Sequence, residues 1–415
     1  MRAVQLAAAA AAALLAAACA WLVPGAHGSE PGATGSAMAE IVAALRVALP
    51  LSLSASRFED PANRRALDAS LGALREGAQE LESHGRSQDA SFAYLSRSLA
   101  RDAEDIKRRF DAGRLDESRF LLGALVEDCV GCHSRLPSAE DSGLGADLYR
   151  QVDTTALSPL ERARLEVATR QFEAALERYE ALLAAPDASP AELDVEGVIA
   201  DYLTVAIRVK QDLPRARATL AKLAARRDVP SYLATLLRGW VAACESLAGS
   251  LDAADPLAEA VRVAERGAKL ERFPRDRAAF VHELVASSLL LRHVAAHPDP
   301  SLENAQAYFL LGVAELSSGR SLWLSAAQDY LETAIRMAPG SDWAKRAYVV
   351  LEEETLADYS GSGGVHVPPD VRESLRELQR EAVGGEGGAA PPSAEHADPG
   401  GDAADGDAPA DPAAD

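Results

Sequence analysis

The sequence predicts an all-α protein in which a four-helix bundle is followed by an α-helical solenoid of paired helices. The chain is 48% hydrophobic but only 5% aromatic, and many segments are rich in alanine, a composition that favours helices. Apolar residues recur at intervals of three and four, which is the spacing of an amphipathic helix. No convincing β-strand pattern accompanies them.

Four segments near the N-terminus each carry one apolar stripe at helical spacing. The first ends at Pro50, and the second follows the cap and proline pair Asp60-Pro61. The third covers residues 90–110 and the fourth residues 115–135. The stripes of the first two are formed by Met38, Ile41, Val42, Leu45 and Leu49, and by Leu67, Leu71, Leu74, Ala78 and Leu81. Short connections between the segments predict that they pack as a bundle.

The run Cys129-Val130-Gly131-Cys132-His133 ends the fourth segment. C-x-x-C-H is the spacing at which a chain forms two thioether bonds to a haem and offers the next residue to the iron. A redox dithiol does not need the histidine, and a zinc site needs a second ligand pair, which we do not find nearby. The motif therefore predicts one covalent haem c on Cys129 and Cys132 with His133 as iron ligand. A structural disulfide and a partial metal site are the alternatives.

A helical segment with a single C-x-x-C-H on its last helix resembles the class II cytochromes c, the cytochrome c′ group, over residues 37–137. The resemblance implies a four-helix haem bundle with His133 as the proximal ligand. The opposite side of the iron is then either apolar and open or filled by a methionine of the first helix, for which Met38 is the candidate. The family usually continues with an aromatic residue and an arginine, whereas this chain has Ser134-Arg135-Leu136-Pro137. Arg135 is either a partner of a haem propionate or a solvated residue at the helix end.

Residues 1–28 resemble an export signal. Arg2 precedes an apolar stretch from Ala3 to Val23, and Ala26-His27-Gly28 places small residues at the usual cleavage positions. We expect a periplasmic or otherwise exported protein. The alternative is an uncleaved or lipidated N-terminus that keeps the chain on a membrane. Few cysteines persist in an oxidising compartment without a role, and Cys244, in an apolar run, is expected to be a buried small hydrophobe.

Paired amphipathic helices are predicted for residues 150–359, after a linker at residues 138–149 that is rich in Ser, Gly and acidic residues. They look like degenerate tetratricopeptide repeats. In the clearest unit, Tyr308–Pro339, Leu311-Gly312 lies at the expected helix crossing, although the internal loop is too long. Such stacks bury a continuous core and leave a concave face. We expect this domain to bind a redox or scaffold protein partner.

The C-terminal residues are expected to form a glycine-rich loop with a short helix at 360–382 and a disordered acidic tail at 383–415. The tail holds eight acidic residues, no Lys or Arg, and almost nothing apolar to bury. The tail therefore contributes -8 to the net charge of -21. The acidic balance argues against a nucleic acid as partner.

No nucleophile elbow, phosphate loop, dinucleotide fingerprint or zinc-protease motif is present, so we do not expect an enzyme. The predicted function is an exported monohaem c-type cytochrome that transfers electrons. The alternative is a haem-based binder or sensor of nitric oxide or carbon monoxide with five-coordinate iron. A third reading is an assembly scaffold in which the haem is structural.

Overall fold

The computed structural model describes residues 33–85, 90–135, 143–186, 197–271, 276–318 and 326–384. Within these ranges the chain is helical apart from one short two-stranded hairpin. The prediction of an all-α fold is therefore confirmed. The predicted export signal at residues 1–28, and the predicted acidic tail from residue 385 onward, lie outside the described residues.

The N-terminal helices pack around one apolar core. They are α1 (Ala33–Ser52), α2 (Ala55–Phe58), α3 (Arg64–Gly85), α4 (Ala90–Asp111), α5 (Leu115–Ala124) and α6 (Val126–Arg135). Helix α3 contacts both α1 and α4, and the stripe predicted for α3 is buried along its whole length. Phe58 and Phe110 meet edge to face, with ring centroids 6.1 Å apart, which is a favourable aromatic geometry.

Helix α1 has the length and composition of a membrane span over Thr34–Ser52. In this fold, however, Ile41, Leu45 and Leu49 of α1 are buried in the bundle core. Core helices of water-soluble bundles have the same composition, so this finding by itself assigns no membrane role.

The fourth predicted helix is two helices in the structure, because the regular spacing is interrupted at Leu125. The Asp128 amide donates to the Leu125 carbonyl at 3.1 Å, a bond between residues three apart that tightens the turn. Leu122 and Leu125 belong to the bundle core, whereas Val130 belongs to the core of the following helices. Helix α6, which carries the C-x-x-C-H motif, therefore joins the two cores.

The described part of the predicted linker at residues 138–149 contains a helix, α7 (Leu144–Gln151). Helix α7 contacts α1, and its Leu148 is buried in the bundle core. Asp147 adds an ion pair with Arg46 at 3.3 Å. These residues extend the bundle instead of forming a solvated connection.

The following helices form the repeat domain, in which neighbours along the chain pack against each other. They are α8 (Pro159–Ala168), α9 (Phe172–Ala184), α10 (Val198–Leu203), α11 (Leu213–Ala224), α12 (Ser231–Ser246), α13 (Pro256–Ala268), α14 (Phe280–Ala296), α15 (Leu302–Ser318), α16 (Ala327–Met337) and α17 (Asp342–Asp358). Gly312 of α15 lies at the predicted close crossing, since a Cβ atom there would come within 2.7 Å of Leu331 in α16. Cys244 is buried, as expected.

Helix α10 continues as one π-helical turn over Thr204–Val209. Such turns are rare and occur frequently at functional sites. The amide of Asp212 then donates to the carbonyl of Ala206 at 2.8 Å, which closes the segment, and Gln211 between them adopts a left-handed backbone with φ of 54°.

The last described residues form an exposed hairpin and a helix that packs on the repeat domain. Strands β1 (Ser360–Gly361) and β2 (Gly364–Val365) are antiparallel. Helix α18 (Pro369–Ala382) contacts α16 and α17 and buries Leu375 and Leu378 in the repeat core. This helix lies within residues 360–382, where a glycine-rich loop and a short helix were expected, and it covers the last helix pair.

Candidate functional site

A large cavity lies between the bundle and the repeat domain, and we call it the motif cavity. Its volume is about 1410 Å³, which exceeds the roughly 300–1,000 Å³ of most small-molecule sites. Apolar residues of both domains line it: Ile41, Val42, Leu45, Leu122, Leu125, Leu165, Leu291 and Val294. The cavity therefore suits a large, mostly apolar organic group.

The three residues of the haem motif line this one cavity. Cys129, Cys132 and His133 lie on the short helix α6, where residues three and four apart share a face. Helical geometry thus aims both thiols and the imidazole at the same space. Within the described residues no disulfide joins Cys129 to Cys132.

The environment of the thiols does not resemble that of a redox dithiol or a metal site. Burial, followed by the charge of Asp128, raises the pKa of Cys129 to about 12. A reactive thiol needs the opposite shift, because the thiolate is the nucleophile. In the described ranges no group of three or more His, Cys, Asp or Glu side chains could hold a metal ion. Neither alternative reading of the cysteine pair gains support.

The imidazole of His133 is buried and neutral at physiological pH. Burial, followed by the positive charge of Arg170, lowers its pKa to about 4, although the backbone carbonyls of Ala168 and Val167 act in the opposite direction. Neutral imidazole is the form that binds metals. Its Nδ1 atom is buried and has no hydrogen-bond partner among the described residues. An orphaned polar atom of this kind calls for an explanation, and a bound group beside the ring supplies one.

These observations meet the requirements of a covalently bound haem. Two thiols stand at thioether spacing, a neutral imidazole follows them, and all three face a large apolar cavity. The residues present therefore fit the group, with Cys129 and Cys132 as its covalent attachment points and His133 as the iron ligand.

Met38 of α1 also lines the motif cavity, so the structure brings all four predicted site residues to one place. Ile41, Val42 and Leu45 from the same helix line it too. A group held by α6 would therefore meet both a thioether and an aliphatic surface on helix α1.

The chain matches no protein-family model, no curated protein and no solved structure. The site is accordingly interpreted from its own residues.

Four arginines line the motif cavity, and no acidic residue does so among the residues described. They are Arg135, Arg170, Arg208 and Arg292. Of these arginines, only Arg135 was considered from the sequence. A solvated residue at the helix end was one of its two readings. That reading is wrong, because the Arg135 side chain is only 12% exposed and donates to Glu315 of α15 at 2.6 Å. Packing of α6 against the repeat domain removes it from solvent.

Glu315 is shared between two of these arginines. Arg208, on the π-helical turn, donates to the other Glu315 oxygen at 2.9 Å and to the Ser287 hydroxyl at 2.9 Å. Burial alone would raise the pKa of Glu315, but the charges of Arg135 and Arg208 outweigh it and hold the pKa at about 2. The carboxylate is therefore ionised, and it joins the motif helix to the repeat domain.

Strained backbone is also concentrated at the cavity. In the described ranges three non-glycine residues have positive φ, and two of them, Arg170 (φ 61) and Gln211 (φ 54), line the motif cavity. A left-handed conformation costs such a residue on the order of 1–3 kcal/mol and tends to be retained at functional sites. A signal for Glu315 was present in the sequence, since it is a lone charge within an apolar helical run, whereas Arg208 has Lys210 and Asp212 close by.

Proposed function

We propose that this chain is an exported monohaem c-type cytochrome, similar in its first domain to the class II cytochromes c, that transfers electrons. One observation carries the proposal: a single helical turn presents Cys129, Cys132 and His133 to one large apolar cavity. The bound haem would supply a one-electron carrier at its iron.

The residues of the chain would fix and tune that group. Cys129 and Cys132 anchor it, and the lowered pKa of His133 keeps the ring uncharged near neutral pH, which is the form that binds metals. The aliphatic part of the lining lowers the local dielectric, which disfavours the more highly charged oxidised state. The cavity thus favours a higher reduction potential than a solvated haem would have.

The repeat domain is proposed to bind the redox or scaffold protein partner. Its helices α8 and α14 contribute Leu165 and Leu291 to the cavity. A partner on this domain would therefore lie close to the haem without entering the bundle. Stacked helix pairs commonly bind proteins on their concave face.

A second function is favoured by the aliphatic surface of α1. If Ile41, Val42 and Leu45, rather than Met38, face the open side of the iron, the site would be five-coordinate and admit nitric oxide or carbon monoxide. The chain would then be a haem-based gas binder or sensor.

Covalent attachment can be tested by mass and colour. We expect the chain purified from a host competent in cytochrome maturation to be coloured and heavier than the polypeptide by one haem. The double variant Cys129→Ala/Cys132→Ala should be colourless with the mass of the bare chain. Cys244→Ala is the matched control and should retain the haem, because Cys244 is buried in the repeat core. A colourless parent chain with the mass of the polypeptide alone would contradict the proposal.

The distal ligand can be tested at Met38. We expect Met38→Leu to alter the absorption spectrum of the reduced protein and to lower its midpoint potential, because a thioether ligand stabilises the reduced iron. Met337→Leu, in α16 of the repeat domain, is the control and should change neither. An unchanged Met38→Leu spectrum together with ready carbon monoxide binding would favour the gas-binding function instead.

A further inference from the structure

The described lining of the motif cavity includes four arginines and no carboxylate. Arg135 and Arg208 share the single carboxylate of Glu315, and the three side chains are 12%, 5% and 6% exposed. The set thus holds two buried guanidinium groups against one buried carboxylate. The Nε atom of Arg135 is also buried without a hydrogen-bond partner among the described residues. Buried charge is costly unless it is paired, so this surface is suited to an anion.

Arg170 adds a further guanidinium to the same surface. It lies in the turn between α8 and α9, lines the cavity, and is close enough to His133 to act on that ring electrostatically. Its left-handed backbone, with φ of 61°, is a conformation that an arginine rarely adopts. Arg170 and Arg208 both belong to the repeat domain, whereas the thiols lie on α6.

We propose that Arg170 and Arg208 bind the carboxylate groups of the haem, so that the repeat domain recognises the ionised edge of the cofactor. This inference rests on the proposed function. A haem carries two propionate carboxylates, and guanidinium groups pair with carboxylates through two parallel hydrogen bonds. The haem then contacts both domains within the motif cavity that lies between them.

The proposal makes the midpoint potential depend on these two side chains. A positive charge near the haem disfavours the oxidised iron, which carries one more positive charge than the reduced iron. Removing either guanidinium should therefore lower the midpoint potential. It should also shift the propionate bending band in the resonance Raman spectrum, because that band reports hydrogen bonding to the carboxylates.

Two variants suit the test because neither should prevent folding. Arg208→Met leaves Arg135 and Glu315 as a balanced pair, and the Ser287 hydroxyl keeps its bond to the Leu284 carbonyl. Arg170→Gly places glycine at a left-handed position that glycine prefers. Arg208→Lys retains the charge and should keep most of the potential. Arg217→Met is the control, since Arg217 lies on the surface in an ion pair with Glu245.

The expected result is a lowered potential and a shifted propionate band in Arg208→Met and Arg170→Gly, with Arg217→Met unchanged. Haem-containing variants that keep both the parental potential and the parental band would overturn this inference alone. A parent chain without haem would overturn the proposed function and this inference with it.

Discussion

Replacing Glu315 by alanine should lower the free energy of unfolding by about 3–5 kcal/mol, the usual cost of removing one partner from a buried ion pair. Glu315 is 6% exposed, and its two oxygens accept from Arg135 and Arg208. The substitution leaves both guanidinium groups buried without a carboxylate. Urea unfolding followed by helical circular dichroism measures the change, as a lower midpoint at similar slope.

A surface ion pair provides the matched control. Glu245 pairs with Arg217 at 2.7 Å, but the two side chains are 55% and 48% exposed. Pairs of this kind contribute about 0–1 kcal/mol, so Glu245→Ala should be close to the parent chain. If Glu315→Ala were as stable as Glu245→Ala, the buried set would not join the motif helix to the repeat domain.

The effect of replacing the whole buried charged set by apolar residues also follows from the cost of an unpaired buried charge. Exchanging Arg135, Glu315 and Arg208 together for Met, Leu and Met removes every buried charge at once. Such replacements are often neutral or stabilising, because no unpaired charge remains. The triple variant should therefore unfold at higher urea than Glu315→Ala.

The stripes of the bundle could be predicted because helical periodicity is a local property. Leu67, Leu71 and Leu74 repeat at four and three residues, and all three are buried. The motif cysteines and His133 were likewise predictable, since their spacing of three and four residues already places them on one face of a helix.

The break at Leu125 has a different origin. Gly123, two residues earlier, is a weak helix former, but a single glycine does not specify where a helix ends. The break follows from tertiary packing, because α5 buries Leu122 in the bundle while α6 buries Val130 in the repeat core. The packing of both cores therefore determines where this segment breaks. A local sequence pattern carries no information about that packing.

The arginine surface could not be predicted for a related reason. Arg135 and Glu315 are separated by 180 residues, and Arg208 reaches the same carboxylate from a π-helical turn. The sequence shows only that Glu315 is a lone charge in an apolar run, and the burial of such a charge requires a partner. Only the fold identifies which partner each charge has.

The stability of the chain should fall as the pH rises from about 6.5 to about 8. Burial, followed by the charge and hydrogen bond of Asp102, raises the pKa of Asp128 from 3.8 to about 8. The folded chain therefore keeps a proton on Asp128 across a range in which the unfolded chain has lost it. Each pH unit in this range costs up to about 1.4 kcal/mol, so the total is on the order of a few kcal/mol.

Two other carboxyl groups and the imidazole of His133 act on the same profile. Burial, followed by the charge of Glu271, raises the pKa of Glu283 to about 8, which adds to the loss as the pH rises from about 4.5 to about 8. Glu315 acts in the opposite sense, because its pKa is lowered to about 2 and its contribution is lost as the pH falls below about 4.5. The lowered pKa of His133 adds stability as the pH rises from about 4 to about 6.5 and opposes the carboxyl groups there, so the net decline should be clearest between about pH 6.5 and 8.

The variant Asp128→Asn isolates the first of these groups. An asparagine amide can donate to the Asp102 carboxylate as the protonated Asp128 does, but it does not titrate. We expect the decline in unfolding free energy between about pH 6.5 and 8 to become shallower in Asp128→Asn and to remain in the exposed control Glu353→Gln. If the decline were equally steep in Asp128→Asn and in the parent chain, the titration of Asp128 would not be the source of the decline.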